Sequence, residues 1–97
     1  MQKSVALSFL SQQMPVMAER FDVKQLALFG STARDEADAD SDLDLLVEFE
    51  HPETFDNFFG LKHYIEDNLS VNVDIGTFDT IRKEIKPIIL KEAVYVA

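Results

Sequence analysis

The sequence predicts an α/β fold in which a small sheet of about four strands is flanked by helices. Three observations predict it. Residues 42–49 and 71–75 alternate apolar and polar side chains with a period of two, as half-buried strands do. A short apolar run, Leu26, Ala27, Leu28 and Phe29, stops at Gly30 in the manner of a buried strand. Stretches of helical spacing alternate with these strands along the chain. With 97 residues and 46% hydrophobic content, the sequence is read as one domain over 1–97, with one core and no room for a second.

In order, Val5, Leu7, Phe9, Leu10, Met14, Val16 and Met17 predict an amphipathic helix over 3–20, broken or restarted at Pro15. A strand follows over 23–29. Ser31 is a candidate N-cap for a short helix over 31–37, with Asp35 and Glu36 near its first turn. Residues 38–41 are loop. In 42–49, Leu43, Leu45, Val47 and Phe49 point to one face, and Asp42, Asp44, Leu46 and Glu48 to the other. After a turn at 51–54, Phe55, Phe58, Phe59, Leu61, Tyr64, Ile65 and Leu69 predict a helix. Val73 and Ile75 flank Asp74 in a third strand that stops at Gly76. Helical spacing resumes over 81–93 despite Pro87, and 94–96 is read as an edge strand.

The composition narrows the function. With 18 acidic against 9 basic residues the formal charge is −9, and no Lys or Arg stripe is dense enough for phosphate neutralisation, so direct nucleic-acid binding is not expected. Zero cysteines exclude disulfides and thiolate metal sites. No apolar run reaches the roughly 18 residues of a membrane span, and signal-peptide features are lacking, so no membrane partner and a cytoplasmic location are expected.

One constellation carries chemistry. Gly30 and Ser31 end a strand, ten residues separate them from Asp42-Leu43-Asp44, and Asp74 lies inside a third strand. Strand residues two apart project from one face about 6.6 Å apart, so Asp42 and Asp44 can jointly hold hard divalent ions, and a third carboxylate on a neighbouring strand completes a two-metal site. Glycine lets backbone approach a phosphate closely, while Ser31 and the free N–H groups of the next turn can donate to it. Such donors let an acidic protein hold a nucleotide. Taken singly, each part has a plainer reading: a turn, two solvated aspartates, a solvent-side strand residue. Their conjunction favours a site.

The segment GSTARDEADADSDLDLLVEF resembles the G-S-x10-D-x-D signature of nucleotidyltransferases of the DNA polymerase β superfamily, in particular the minimal nucleotidyltransferases. LALFGSTAR, VNVDIGT and ILKEAVYV extend the likeness over roughly residues 23–97. The resemblance implies a palm-like core with a mixed sheet, contacts from Gly30 and Ser31 to the triphosphate of ATP, and Mg2+ held by Asp42, Asp44 and Asp74. Two ions are implied, with Mn2+ an alternative, and Asp74 is placed near the incoming hydroxyl. The family is commonly paired with a small helical protein of the HEPN type, a ribonuclease toxin that the nucleotidyltransferase, as antitoxin, can adenylylate on tyrosine. Many relatives have Gly where this chain has Asp35, an extra acid beside a phosphate site.

The remaining residues carry two readings each. Arg34, one helical turn after Gly30, is a candidate for phosphate or partner contact, or for a salt bridge to a nearby acid. His51 is read as a loop residue and His63 as a helix surface residue. Phe49, Phe55, Phe58 and Phe59 are read as core, with Phe58 or Phe59 the candidates for exposure to a partner. Arg82, Lys83 and Lys86 are read as a solvated helix face, and Asp35, Glu36, Asp38 and Asp40 as a solvated loop.

The leading function is adenylylation of a protein. A binding-only antitoxin or adaptor that keeps the acids as relics, and a small-molecule nucleotidyltransferase, are the alternatives; the last lacks an added substrate-binding domain. Because the chain has room for a catalytic palm and little more, acceptor binding must come largely from another chain, so a homo-oligomer or a hetero-complex is expected.

Overall fold

Leu43, Leu45 and Val47 alternate inward as predicted, and the strand they form is central to a four-stranded sheet in the computed structural model, which describes residues 2–38, 41–78, 83–84 and 86–96. The element order is α1 (Lys3–Phe21), β1 (Val23–Phe29), α2 (Gly30–Ala33), β2 (Leu43–Phe49), α3 (Phe55–Leu69), β3 (Val73–Thr77), α4 (Lys86–Glu92) and β4 (Val94–Tyr95). The sheet runs β3-β2-β1-β4. β1 is antiparallel to β2 and β4, while β2 and β3 are parallel, so the sheet is mixed. The parallel pair requires a crossover, which α3 supplies.

Register sets two faces. On the first, Leu28, Leu45 and Ile75 form one row across the sheet, and Leu26 pairs with Val47 in the next. These residues pack against Ala6, Leu10, Met17 and Phe21 of α1 and Leu61 and Ile65 of α3 in one core. On the opposite face Tyr95, Ala27, Leu46 and Gly76 form a row. Ala27 and Leu46 are buried there, on the face that α4 overlies. A bulge between Val23 and Gln25 lets Val23 face the core while Gln25 shares the opposite face with Ala27.

Several expected boundaries shift, each for a local reason. Pro15 does not divide α1, which is continuous for 19 residues. Pro15 and Ser11 are both on the exposed side, where water can satisfy the Ser11 carbonyl that lacks an N–H partner. Ser31 is not the N-cap of α2. Phe29, in extended conformation, holds that position, and Gly30 opens the helix at φ 73°. The predicted extension to residue 37 stops because Asp35 turns left-handed at φ 59°. β3 continues through Gly76 to Thr77.

Helix α4 spans Lys86–Glu92, with Pro87 in its first turn, where a missing N–H costs nothing, and the expected helix residues 81, 82 and 85 lie outside the described residues. Of the expected basic helix face, Lys83 lies in a turn outside the helix and Lys86 is half-buried at its start, while Arg82, like Asp40, lies outside the described residues. The exposed phenylalanine is Phe55, at 77%, whereas Phe58 and Phe49 pack against the core and Phe59 is half-buried.

Candidate active site

Asp44 is the second residue of β2, and its neighbours Leu43 and Leu45 are committed to the core, so its side chain emerges on the opposite face. Its partner across the parallel pair is Asp74, and its partner on β1 is Phe29, the residue before Gly30. The Leu43 N–H donates to the Asn72 carbonyl at 2.9 Å, fixing the register where both acids begin. Asp42 precedes the strand, shares the parity of Asp44 and is exposed.

Gly30 packs directly on this carboxylate. A Cβ added there would lie 3.1 Å from the Asp44 carboxyl carbon and 3.2 Å from its Cβ, and would overlap a carboxylate oxygen. Together with φ 73°, this contact accounts for glycine at the position. Ser31 follows, half-buried, at the mouth of the four-residue α2. The ten residues between Ser31 and Asp42 thus return the chain from α2 to the start of β2, bringing Gly-Ser beside Asp-x-Asp.

Burial pushes the Asp44 carboxyl above its usual range, and the charges of Asp74 and then Asp42 push it further; Arg34 opposes them. Asp44 therefore feels both neighbouring acids. They are nevertheless held apart: among the described residues no three acidic or imidazole groups are gathered at metal-coordinating distance. Hard carboxylate oxygens on a partly exposed surface suit Mg2+ or Mn2+.

Arg34 ends α2 and is held by acids, with Nε 3.2 Å from Glu36 and Nη1 3.5 Å from Glu92 of α4. The structure shows the salt-bridge reading of Arg34, whose guanidinium pairs with acids and also acts on Asp44. Sequence reasoning missed Glu92. It also missed the role of Asp35, whose side chain accepts the backbone N–H of Lys3 at 3.1 Å and so caps α1. Asp38 and Ser41 bond each other within the loop, consistent with a turn that closes before β2.

Gly30, Ser31 and carboxylates on adjoining strands thus lie together on a four-stranded mixed sheet. Residues 10–96 match the family described as nucleotidyltransferase domain, and the chain belongs to that family, among its minimal members. It is 37% identical over 89 residues to a protein adenylyltransferase named MntA from Thermococcus cleftensis, covering 92% of this chain and 90% of that one. A chain solved as a minimal nucleotidyltransferase superposes with a TM-score of 0.81 at 34% identity, covering 97% of this chain and 95% of the other. An MNT antitoxin complex with a tri-AMPylated HEPN toxin of Shewanella oneidensis shares the fold, with a TM-score of 0.65 at 12% identity and coverage of 94% and 71%.

Proposed function

We propose that this nucleotidyltransferase moves AMP from ATP to a hydroxyl of a HEPN-type helical toxin, with tyrosine as the acceptor, and thereby acts as its antitoxin. The observation that carries the reading is the pairing of Asp44 with Asp74 beside Gly30. Carboxylates on two adjoining strands, one of them packed against a glycine, support this reading. The adenylyltransferase named MntA and the AMPylated toxin of the neighbouring complex support the donor and the kind of acceptor.

In this reading Gly30 and Ser31 hold the triphosphate, and Arg34 leaves Glu92 to join it. Asp42, Asp44 and Asp74 would hold two divalent ions, which supply activation of the acceptor oxygen and screening of the triphosphate charge. The acceptor oxygen attacks the α-phosphorus, the bond from that phosphorus to the bridging oxygen breaks, and pyrophosphate leaves with the bonding pair. The hydroxyl proton passes to a carboxylate oxygen of Asp74. Because the acceptor is a macromolecule, its own surface supplies much of the positioning that so small a palm lacks.

Intact mass spectrometry of a HEPN-type partner after incubation with this chain, ATP and Mg2+ tests the proposal. One or more AMP increments that vanish with Asp42→Asn/Asp44→Asn are expected. A stable complex with no mass gain would replace adenylylation with neutralisation by occlusion.

A further inference from the structure

The pole of the molecule farthest from the carboxylates carries an aromatic and acidic surface that the transfer reaction does not use. β2 starts at the acids and ends at Phe49, about 17 Å along the strand from Asp44. Here Thr54 caps α3 by accepting the Asn57 N–H at 3.1 Å, which fixes the direction of the first turn. Phe55 stands 77% exposed on that turn, 4.4 Å between ring centroids from Phe59, which contacts Phe58 at 5.3 Å. Phe58 packs against the core, so the outer rings rest on a fixed base.

These rings and Glu53 line a hollow of 330 Å3. Glu53 also lines a cavity of 580 Å3 that reaches Glu48, Phe49 and Tyr95, so the two concavities adjoin. Carboxylates surround them: Glu50, Glu53 and Asp56 are exposed, and Glu48 faces Lys24 at 3.6 Å. Lys86 and His51 also line the larger cavity, and His51 is engaged by Asp22.

We infer that this pole docks a helix of a protein partner whose apolar stripe is flanked by Lys and Arg. Phe55 and Phe59, four residues apart on α3, form a ridge that fits between the side chains of a second helix. The acidic rim selects a basic flank, whose guanidinium or ammonium groups reach the cavity between Glu48, Glu53 and the aromatic rings of Phe49 and Tyr95. A second copy of this chain is disfavoured as the occupant. It carries a charge of −9 and would bring the same carboxylates face to face. Docking here leaves Asp44 and Asp74 open, so a partner can be held at one end while another of its segments is modified at the other.

The test is titration of the full chain, without nucleotide, with a synthetic helical peptide bearing a Leu stripe flanked by Lys and Arg, followed by NMR. Nucleotide is absent, so the outcome is independent of adenylyl transfer. Two control peptides keep the composition but scramble the stripe, or keep the stripe with Glu flanks. Binding with Kd on the order of 10 μM, centred on residues 53–59 and weakened at least tenfold by Phe55→Ser and by Glu53→Lys, is expected. Both positions are exposed, and circular dichroism verifies that each variant folds. Equal binding of either control peptide, or unchanged binding by Phe55→Ser, overturns the inference. So does a dimer of the free chain that Phe55→Ser dissolves, since the occupant would then be a second copy.

Discussion

Asp35 Oδ1 accepts the backbone N–H of Lys3 at 3.1 Å, so a residue of the turn after α2 caps the first turn of the longest helix. The Gln2 side chain provides no such bond, and the first turn of α1 has no acid of its own. The carboxylate is thus drawn toward the positive end of α1, where an acid is favourable. Asp35 is also left-handed, at φ 59°. Asp35→Ala loses the cap and keeps a strained backbone, and is expected to cost about 2 kcal/mol. Asp35→Gly loses the cap but relieves the backbone and should stay within about 1 kcal/mol of the parent. Urea unfolding of both variants checks the order.

Gly30→Ala places a methyl group against the Asp44 carboxylate and holds alanine at φ 73°. A loss of about 100-fold in nucleotidyl transfer is expected, because the cradle and one acid are displaced together. The double variant Gly30→Ala/Asp44→Ala separates the causes. With the carboxylate gone, the stability cost of the alanine should fall toward the backbone part, about 1–2 kcal/mol, with only the 3.2 Å approach to the residue 44 Cβ remaining.

Asp44 titrates above the ordinary carboxylate range, principally through burial and then through Asp74 and Asp42. A carboxyl raised on folding binds its proton more tightly in the native state, so its ionised form opposes folding above the raised pKa. That opposition disappears as pH falls through the raised value toward the unfolded one. In chelator, Asp44→Asn is therefore expected to raise Tm at pH 7, with the gain shrinking as pH approaches 4. A gain constant with pH would assign the effect to packing instead.

His51 is raised and Asp22 lowered, each first through their side-chain hydrogen bond at 3.0 Å. The His51 contribution is complete below pH 6.5 and lost as pH rises through its raised value. The Asp22 contribution is complete above pH 3.8 and lost as pH falls through its lowered value. His51→Ala should accordingly lower Tm most near pH 5 to 6 and have little effect at about pH 9, where the wild-type imidazole is neutral. His51 is solvent-exposed and Asp22 only partly buried in this bond, so the shift is expected to be small. Thermal scans across that range measure it.

Arg34→Gln removes a guanidinium bound to Glu36 and Glu92. Exposed pairs of this kind contribute little, so stability should change by less than about 1 kcal/mol. If the guanidinium transfers to phosphate when ATP binds, ATP affinity should fall on the order of tenfold or more. Calorimetric titration with ATP, set beside a melting curve, distinguishes the two effects.

The parts of the fold visible in sequence are those in which one residue's environment is dictated by its neighbours. Leu43, Leu45 and Val47 alternate into the core, which forces Asp44 outward, and the same logic around Val73 and Ile75 places Asp74. What was not legible depends on direction or on distance in sequence. Pro15 is harmless because it faces solvent, and nothing in the local spacing gives its phase. Asp35 meets Lys3 across 32 residues, and Arg34 meets Glu92 across 58, so neither contact has a local signal. Phe55 was indistinguishable from Phe58 by type, yet as the first residue of α3 it falls outside the helix stripe that the core covers.

The pairing of residue 44 with residue 74 makes the chain's tolerance of added length uneven. A residue inserted at 50–54 or 70–72 is absorbed in a connection, and both strands keep their phase. A residue inserted between Leu43 and Asp44, or between Val73 and Asp74, turns every later side chain of that strand over and drives a carboxylate among Leu28, Leu45 and Ile75. Homologues of different length should therefore differ in their connections, while the phase of these two strands admits no drift.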